Sequence, residues 1–205
     1  MDLLLIRHGQ PERQELADGD VADPPLTDLG RQQAAAVADL LADENVTHIA
    51  ASPVRRARET AAPSAARLGI DVSYDPRFEE LDYGSASYIP NEQAVASDDK
   101  WAKYDANPLF MFDHHGGFDV FRDRVVSAFD DLVASHRGQT VAVFSHGGVM
   151  GTYIMSIVGY DWPFTLQNDY CGLTRVRAAS SGFRSVQSVN ETLHVRGLMA
   201  TRDVQ

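Results

Sequence analysis

Two apolar runs end in the same way. LLLIRHG at 3–9 and VAVFSHGG at 141–148 each carry four consecutive apolar residues and stop within two residues at a histidine followed by glycine. A continuous apolar run this short lacks the alternation of a strand with one wet face. It reads as a strand buried on both sides. Such strands need helices above and below them, so the rest of the chain has to supply amphipathic helices between strands. It does. Thr27 or Asp28 can cap a helix running to about Asp43, with Ala34, Val37, Leu40 and Leu41 on one face. Residues 46–51 predict a second strand, and Pro53 predicts the first turn of a second helix that stops near Leu68 and Gly69. Residues 71–74 predict a short strand, 118–136 a long amphipathic helix, 140–145 a strand, 147–158 a helix, and 174–176 and 185–189 two late strands. The expected fold is α/β: one domain over 1–205, three layers (α/β/α), and a mostly parallel central sheet. Residues 79–117 break the alternation. With a predicted helix at about 92–104 among prolines and glycines, 85–117 reads as an insertion forming a lid over a site.

Charge narrows the partners. A net charge of −11 repels nucleic acid and anionic membrane, so clustered arginines point to a local pocket rather than a broad binding face. The one cysteine, Cys171, excludes an internal disulfide. No apolar run reaches the roughly 20 residues of a membrane span. Asp2 stands where a signal peptide carries positive charge. The expectation is a cytoplasmic protein, with association between copies through an edge strand or helix left open.

Ligands of open α/β sheets bind outside the carboxyl ends of the strands. Arg7-His8-Gly9 and Ser145-His146-Gly147 lie at such ends, and Ser52-Pro53 lies at a third, with Arg55, Arg56 and Arg58 just beyond. One histidine after a strand is usually structural. Two in matched settings beside an arginine cluster point to phosphoryl transfer. Guanidinium groups bind phosphoryl oxygens bidentately, and the N–H groups of a helix start at Gly147 and Gly148 add donors. A neutral imidazole attacks phosphorus, and neighbouring cations keep it neutral. Its other nitrogen then needs a fixed partner, such as a backbone carbonyl, to set the tautomer.

In order along nearly the whole chain, Arg7-His8-Gly9, LTDLG at 26–30, SPVRRARETA at 52–61, EELDYG at 79–84, FSHGG at 144–148, LQNDYCGLTRV at 166–176 and SVNETLHV at 188–195 resemble the histidine phosphatase superfamily, the phosphoglycerate mutase-like family. The resemblance implies a phosphoglycerate mutase-like fold. It gives His8 the role of the nucleophile that becomes phosphohistidine, and makes Arg7, Arg56 and His146 a phosphate clamp. Glu80 becomes the proton donor to the leaving oxygen and later the base that activates water, with Glu79 as its rival. Arg55 and Arg58 become solvated helix positions, and no metal or other cofactor is required. The pattern departs at Pro11 and Gln14, where Gln14 is left to offer an amide to phosphate, at GSASYIPNEQ (84–93), and at Gly116-Gly117-Phe118-Asp119. These departures bear on the substrate. The expected ligand is a small phosphomonoester or inorganic phosphate. Phosphoglycerate mutase-type transfer, or a binding module with a disabled site, are the alternatives.

Other residues invite competing readings. Asp113-His114-His115 could be a metal site but has no further ligands at suitable spacing. His48 and His136 read as structural, with His136 near a helix C-terminus. His194 falls in the closing segment that the family brings near its site. Trp101, Tyr104, Phe110, Met111 and Phe112 could form an apolar lid or simply core.

Overall fold

In the computed structural model, which describes residues 1–90, 93, 106–160 and 166–199, Leu3 and Leu5 point into one hydrophobic cluster, and Leu4 and Ile6 into a second. The same split divides Val141 and Val143 from Ala142 and Phe144. Successive strand side chains leave opposite faces, so each unbroken apolar run feeds two cores at once.

The elements in chain order are β1 (Asp2–Arg7), β2 (Gln14–Glu15), α1 (Asp28–Leu41), β3 (His48–Ala51), α2 (Arg55–Leu68), β4 (Val72–Tyr74), β5 (Ser87–Tyr88), α3 (Phe118–Ser135), β6 (Thr140–Ser145), α4 (Gly147–Val158), β7 (Leu173–Ala178) and β8 (Arg184–Glu191). The six-stranded sheet runs β4-β3-β6-β1-β7-β8. The pairs from β4 to β1 are parallel, and β7 and β8 add an antiparallel edge. Val37, Leu41 and Ala61, from α1 and α2, fill the core on one face. Phe121, Val125 and Phe129 of α3 and Val149, Met150 and Tyr153 of α4 fill the core on the other. This is the expected three-layer arrangement.

The topology places the site. From β1 the chain crosses β6 by way of α1 to reach β3 on one face. From β6 it crosses β1 by way of α4 to reach β7 on the other. Two neighbouring strands therefore send their connections in opposite directions, and a crevice opens at their carboxyl ends. Arg7 and Ser145 are register partners there, immediately before the two histidines.

Local chemistry sets the element ends. Thr27 caps α1, its Oγ1 accepting the Gly30 N–H at 2.9 Å. Gly30 has a second duty: a Cβ there would run into the Gln10 carbonyl oxygen, which gives the LTDLG motif its physical reason. Gly69 closes α2 in the left-handed conformation. Three boundaries differ from expectation. The second strand starts at His48 rather than residue 46. Pro53 does not open α2, which starts at Arg55 with Val54 in extended geometry as its N-cap. Leu40 is only half buried, while Ala38 and Gln33 join the buried face of α1. Gln33 earns burial by hydrogen bonding, its amide accepting Gln10 N–H and donating to the Leu198 carbonyl.

Within the insertion, the predicted helix at 92–104 and the residues Trp101 and Tyr104 lie outside the described residues. Phe112 is core rather than lid, packed edge-on against Phe118 and Phe121. His115 bonds the Leu81 carbonyl at 2.7 Å, and no cluster of metal-ligating side chains occurs among the described residues. His48 and His136 stack at 4.0 Å between centroids, and the His136 ring bonds the Leu132 carbonyl at the end of α3. Among the described residues no helix is long and apolar enough to cross a membrane.

Candidate active site

β1 delivers His8 by continuing its pairing one residue past the strand. The His8 N–H donates to the Ser145 carbonyl at 2.9 Å, and the His8 carbonyl accepts from Cys171 N–H at 3.3 Å. The ring is buried, and its Nδ1 lies 2.8 Å from the Gly9 carbonyl oxygen. A carbonyl only accepts, so Nδ1 carries the proton and Nε2 keeps its lone pair. Gly9 is fixed in turn by Thr60 Oγ1, which accepts its N–H at 2.9 Å and donates to the Arg56 carbonyl at 2.6 Å. A Cβ at Gly9 would sit 2.6 Å from the Gly30 carbonyl oxygen, so no larger residue fits this turn.

His146 stands across the crevice, its ring centroid 5.2 Å from that of His8. Its Nε2 meets Ser52 Oγ at 2.9 Å, while its buried Nδ1 has no partner. Ser52 Oγ also accepts the Val54 N–H at 3.3 Å. In the tautomer where the Ser52 hydroxyl donates to Nε2, Nδ1 carries the proton and is a free donor.

Two arginines complete the ring of donors. Arg7 Nη1 donates to the Asn168 carbonyl at 2.6 Å, and its guanidinium lies 4.2 Å from the Tyr170 ring centroid. Arg56, 1% exposed, donates through Nη2 to Asp82 at 2.7 Å and lies 4.5 Å from the Tyr88 ring centroid. The Nε atoms of both arginines are buried without partners. Buried unpaired donors are costly, so a shared anionic ligand is the economical explanation of these Nε atoms and of His146 Nδ1. Asn168 adds an amide, 5% exposed, with neither end partnered. Arg55 and Arg58 are exposed on α2, and Arg55 pairs with Glu59.

Glu80 is held by the helix that follows His146. Its Oε2 accepts the Gly148 N–H at 2.8 Å and its Oε1 the Leu81 N–H at 2.9 Å. Gly148 admits it, because a Cβ there would overlap the carboxylate. Glu79 is half buried and faces Arg124 instead. Gly147 lies at the start of α4, with Arg7 Nε 3.7 Å from where its Cβ would be. Gln14 is engaged in holding its loop: its Oε1 accepts the Asp23 N–H at 2.8 Å, and β2 pairs it with Tyr88. His194 braces the turn behind the site, bonding the Cys171 carbonyl at 2.9 Å.

Ser52 shows in the sequence only as a strand end, and Asp82, Tyr88, Asn168 and Tyr170 carry no sequence signal of a role in the site. Asp82 stands two residues after Glu80 inside EELDYG, and Asn168 and Tyr170 sit inside LQNDYCGLTRV. Their sequence position is visible, but their contacts with Arg56 and Arg7 arise only in the fold.

Burial, followed by the Arg56 and Arg7 charges, holds His8 well below the ordinary imidazole range. Burial, Arg56 and His8 do the same to His146. Burial, followed by Asp82, raises Glu80. These directions fix how stability depends on pH. Below about pH 6.5 the unfolded chain protonates histidines that the folded chain keeps neutral, and His48 and His194 share that sign. Glu80 and Glu79, both raised, oppose this by holding protons that the unfolded chain releases. Four histidines outweigh two carboxyls, so unfolding free energy falls as pH drops from 7 to 5, by on the order of 1 kcal/mol per pH unit for each net proton. Urea midpoints measured across that range check this. A flat or rising midpoint contradicts it.

Comparison with known proteins finds relatives along nearly the whole chain. A probable phosphoglycerate mutase GpmB of Yersinia enterocolitica is 26% identical over 212 residues, covering 95% of each chain. The solved structure of a mycobacterial glucosyl-3-phosphoglycerate phosphatase with inorganic phosphate superposes with a TM-score of 0.74 at 25% identity, covering 95% of this chain and 99% of that one. Bacillus stearothermophilus YhfR gives a TM-score of 0.76 at 22% identity, with coverage of 95% and 98%. A mutant phosphoserine phosphatase of Entamoeba histolytica, solved in complex with phosphoserine, gives 0.74 at 24%, with coverage of 95% and 98%. The family model of the histidine phosphatase superfamily (branch 1) matches residues 3–192, and the chain belongs to that superfamily.

Proposed function

We propose that the protein is a phosphatase that hydrolyses a small phosphomonoester through a phosphohistidine on His8. The observation that carries this reading is the pair of imidazoles 5.2 Å apart, ringed by unpartnered buried donors, with the first ring's Nδ1 tied to a carbonyl. His8 Nε2 attacks phosphorus as the bond from phosphorus to the ester oxygen breaks. That oxygen takes the electron pair and the proton of Glu80. The arginines and His146 hold the three remaining oxygens, where charge accumulates. Gly147, at the first turn of α4, lends the positive end of that helix. Water then attacks the phosphorus, the Glu80 carboxylate takes its proton, and the phosphorus–nitrogen bond breaks to free phosphate and His8. The arginine charges do the work a metal ion would do, and the reaction uses no cofactor. Gln14 contributes at most its NH₂ group, since its oxygen is taken.

The proposal extends to the surroundings. The described start of the 85–117 insertion reaches the site at Tyr88, whose ring lies on Arg56. The free, buried Cys171 and the charge of −11 fit a cytoplasmic protein acting on small molecules. The name of the Yersinia relative motivates a second reading, in which the phosphoryl group returns to bound product as in a mutase. Phosphorus NMR on a panel of phosphomonoesters that includes 3-phosphoglycerate separates them. The phosphatase reading expects inorganic phosphate to accumulate. Interconversion of phosphoglycerates without net release would favour the mutase, and neither outcome at any pH from 5 to 8 would overturn both.

A further inference from the structure

Asp82 bonds the buried Arg56 of the site, and neither the proposed mechanism nor the family resemblance gives it a task. Its carboxylate bonds a guanidinium that is almost wholly buried, while Asp82 itself remains a quarter exposed. The Nε of the same guanidinium is buried and without a partner. Two residues before Asp82, on the same turn, stands Glu80. We propose that Asp82 is a positioning residue of this site: it locks the Arg56 guanidinium with Nε left for the phosphoryl group, and it sets a negative charge against Glu80 so that Glu80 arrives at the leaving oxygen as an acid. The inference rests on the phosphatase reading.

The surroundings of Glu80 make this necessary. Arg56 faces it from α2 and Arg124 from α3, and both favour the carboxylate. The N–H groups of Leu81 and Gly148 favour it too, because each donates to one of its oxygens. His146, neutral, lies where α4 begins, and His115 bonds the Leu81 carbonyl beside it. Arg124 also donates to the Glu79 carbonyl and lowers the Glu79 carboxyl against its burial. Against two cations and two N–H donors, only burial and Asp82 favour the protonated acid, and burial leads. Removing the Asp82 charge therefore leaves burial alone against four opposing groups. For Arg56 burial is the largest influence, and Asp82, with Tyr88 and Glu80 beside it, offsets that cost and keeps the guanidinium a firm cation.

Asp82→Asn tests this with the smallest change of shape, since the amide oxygen can still accept from Arg56. Two esters are compared: phenyl phosphate, whose leaving oxygen needs a proton, and 4-nitrophenyl phosphate, whose leaving group departs as a stable anion. The alkaline limb of kcat/KM for phenyl phosphate is expected to move about one pH unit toward acid, giving about a tenfold loss on its far side. The loss on 4-nitrophenyl phosphate should stay within about threefold, the level of a single weakened hydrogen bond. Asp82→Glu should restore much of the limb. In parallel, the carbonyl stretch of protonated Glu80, assigned by its absence in Glu80→Gln, should titrate at lower pH in Asp82→Asn. An unmoved limb with equal losses on the two esters would overturn the inference. If the wild-type protein releases phosphate from neither ester, the phosphatase reading fails instead, and the infrared titration still decides whether Asp82 governs the Glu80 proton: an unchanged titration would sink that too.

Discussion

His8→Ala abolishes phosphate release. The fall in kcat expected is at least on the order of 10⁴-fold, because removing a nucleophile takes away the covalent route and leaves only binding and electrostatics around the site. The alternative in which water attacks directly and His8 merely orients substrate would cost far less, in the range of about 10² for a lost hydrogen-bond donor. A second readout separates them without relying on rate. Wild-type protein mixed with substrate and denatured in alkali should carry the mass of one phosphoryl group, which a phosphohistidine retains in base and loses in acid. His8→Ala should carry none. Because Nδ1 is committed to the Gly9 carbonyl, the phosphoryl group should be found on Nε2. The variant should fold, since the buried ring contributes one hydrogen bond to a backbone carbonyl while bearing the cost of burial beside two arginines. An adduct on His8→Ala, or none on the wild type at any time point, contradicts the covalent route.

How much of this was legible before the structure varies with the physical distance over which each feature is decided. The strands carrying His8 and His146 were legible because two-sided burial writes itself locally as an unbroken apolar run. The cap at Thr27 and the stop at Gly69 were legible because both act within one turn. Pro53 misled because proline suits the first turn of a helix, yet here the chain stays extended through Val54 so that Ser52 can reach His146. The pairing of β2 with β5 left no trace, since two-residue strands have no period to read. The partners of the clamp were illegible for a related reason. Asp82, Tyr88, Asn168 and Tyr170 come from three separate segments, and what they do is decided by which guanidinium the fold brings to each. Phe112 illustrates the limit from the other side: an aromatic beside a presumed lid is a core residue once α3 is seen to cover it.

Gly148→Ala offers the sharpest separation of site chemistry from helix energetics. In the first turn of a helix, alanine in place of glycine ordinarily stabilises, by up to about 1 kcal/mol. The backbone at Gly148 is helical and would accept a side chain. What forbids it is contact: the new Cβ would overlap the Glu80 carboxylate and come 2.7 Å from Leu81 Cδ2. Glu80 has to leave its place, and with it goes the 2.8 Å bond to the Gly148 N–H. The expected result is a loss in kcat of about 10²- to 10³-fold on an ester with a poor leaving group, the range for losing a positioned general acid. The loss on 4-nitrophenyl phosphate should be smaller. Stability should change little, as the gain in helix propensity offsets the displaced contact. A double-mutant cycle makes the cause explicit. If Gly148 acts through Glu80, then Gly148→Ala introduced into Glu80→Gln should cost almost nothing further, because the group it displaces no longer donates a proton. Additive losses in that cycle would mean that the helix start itself, rather than the carboxyl it cradles, carries the effect.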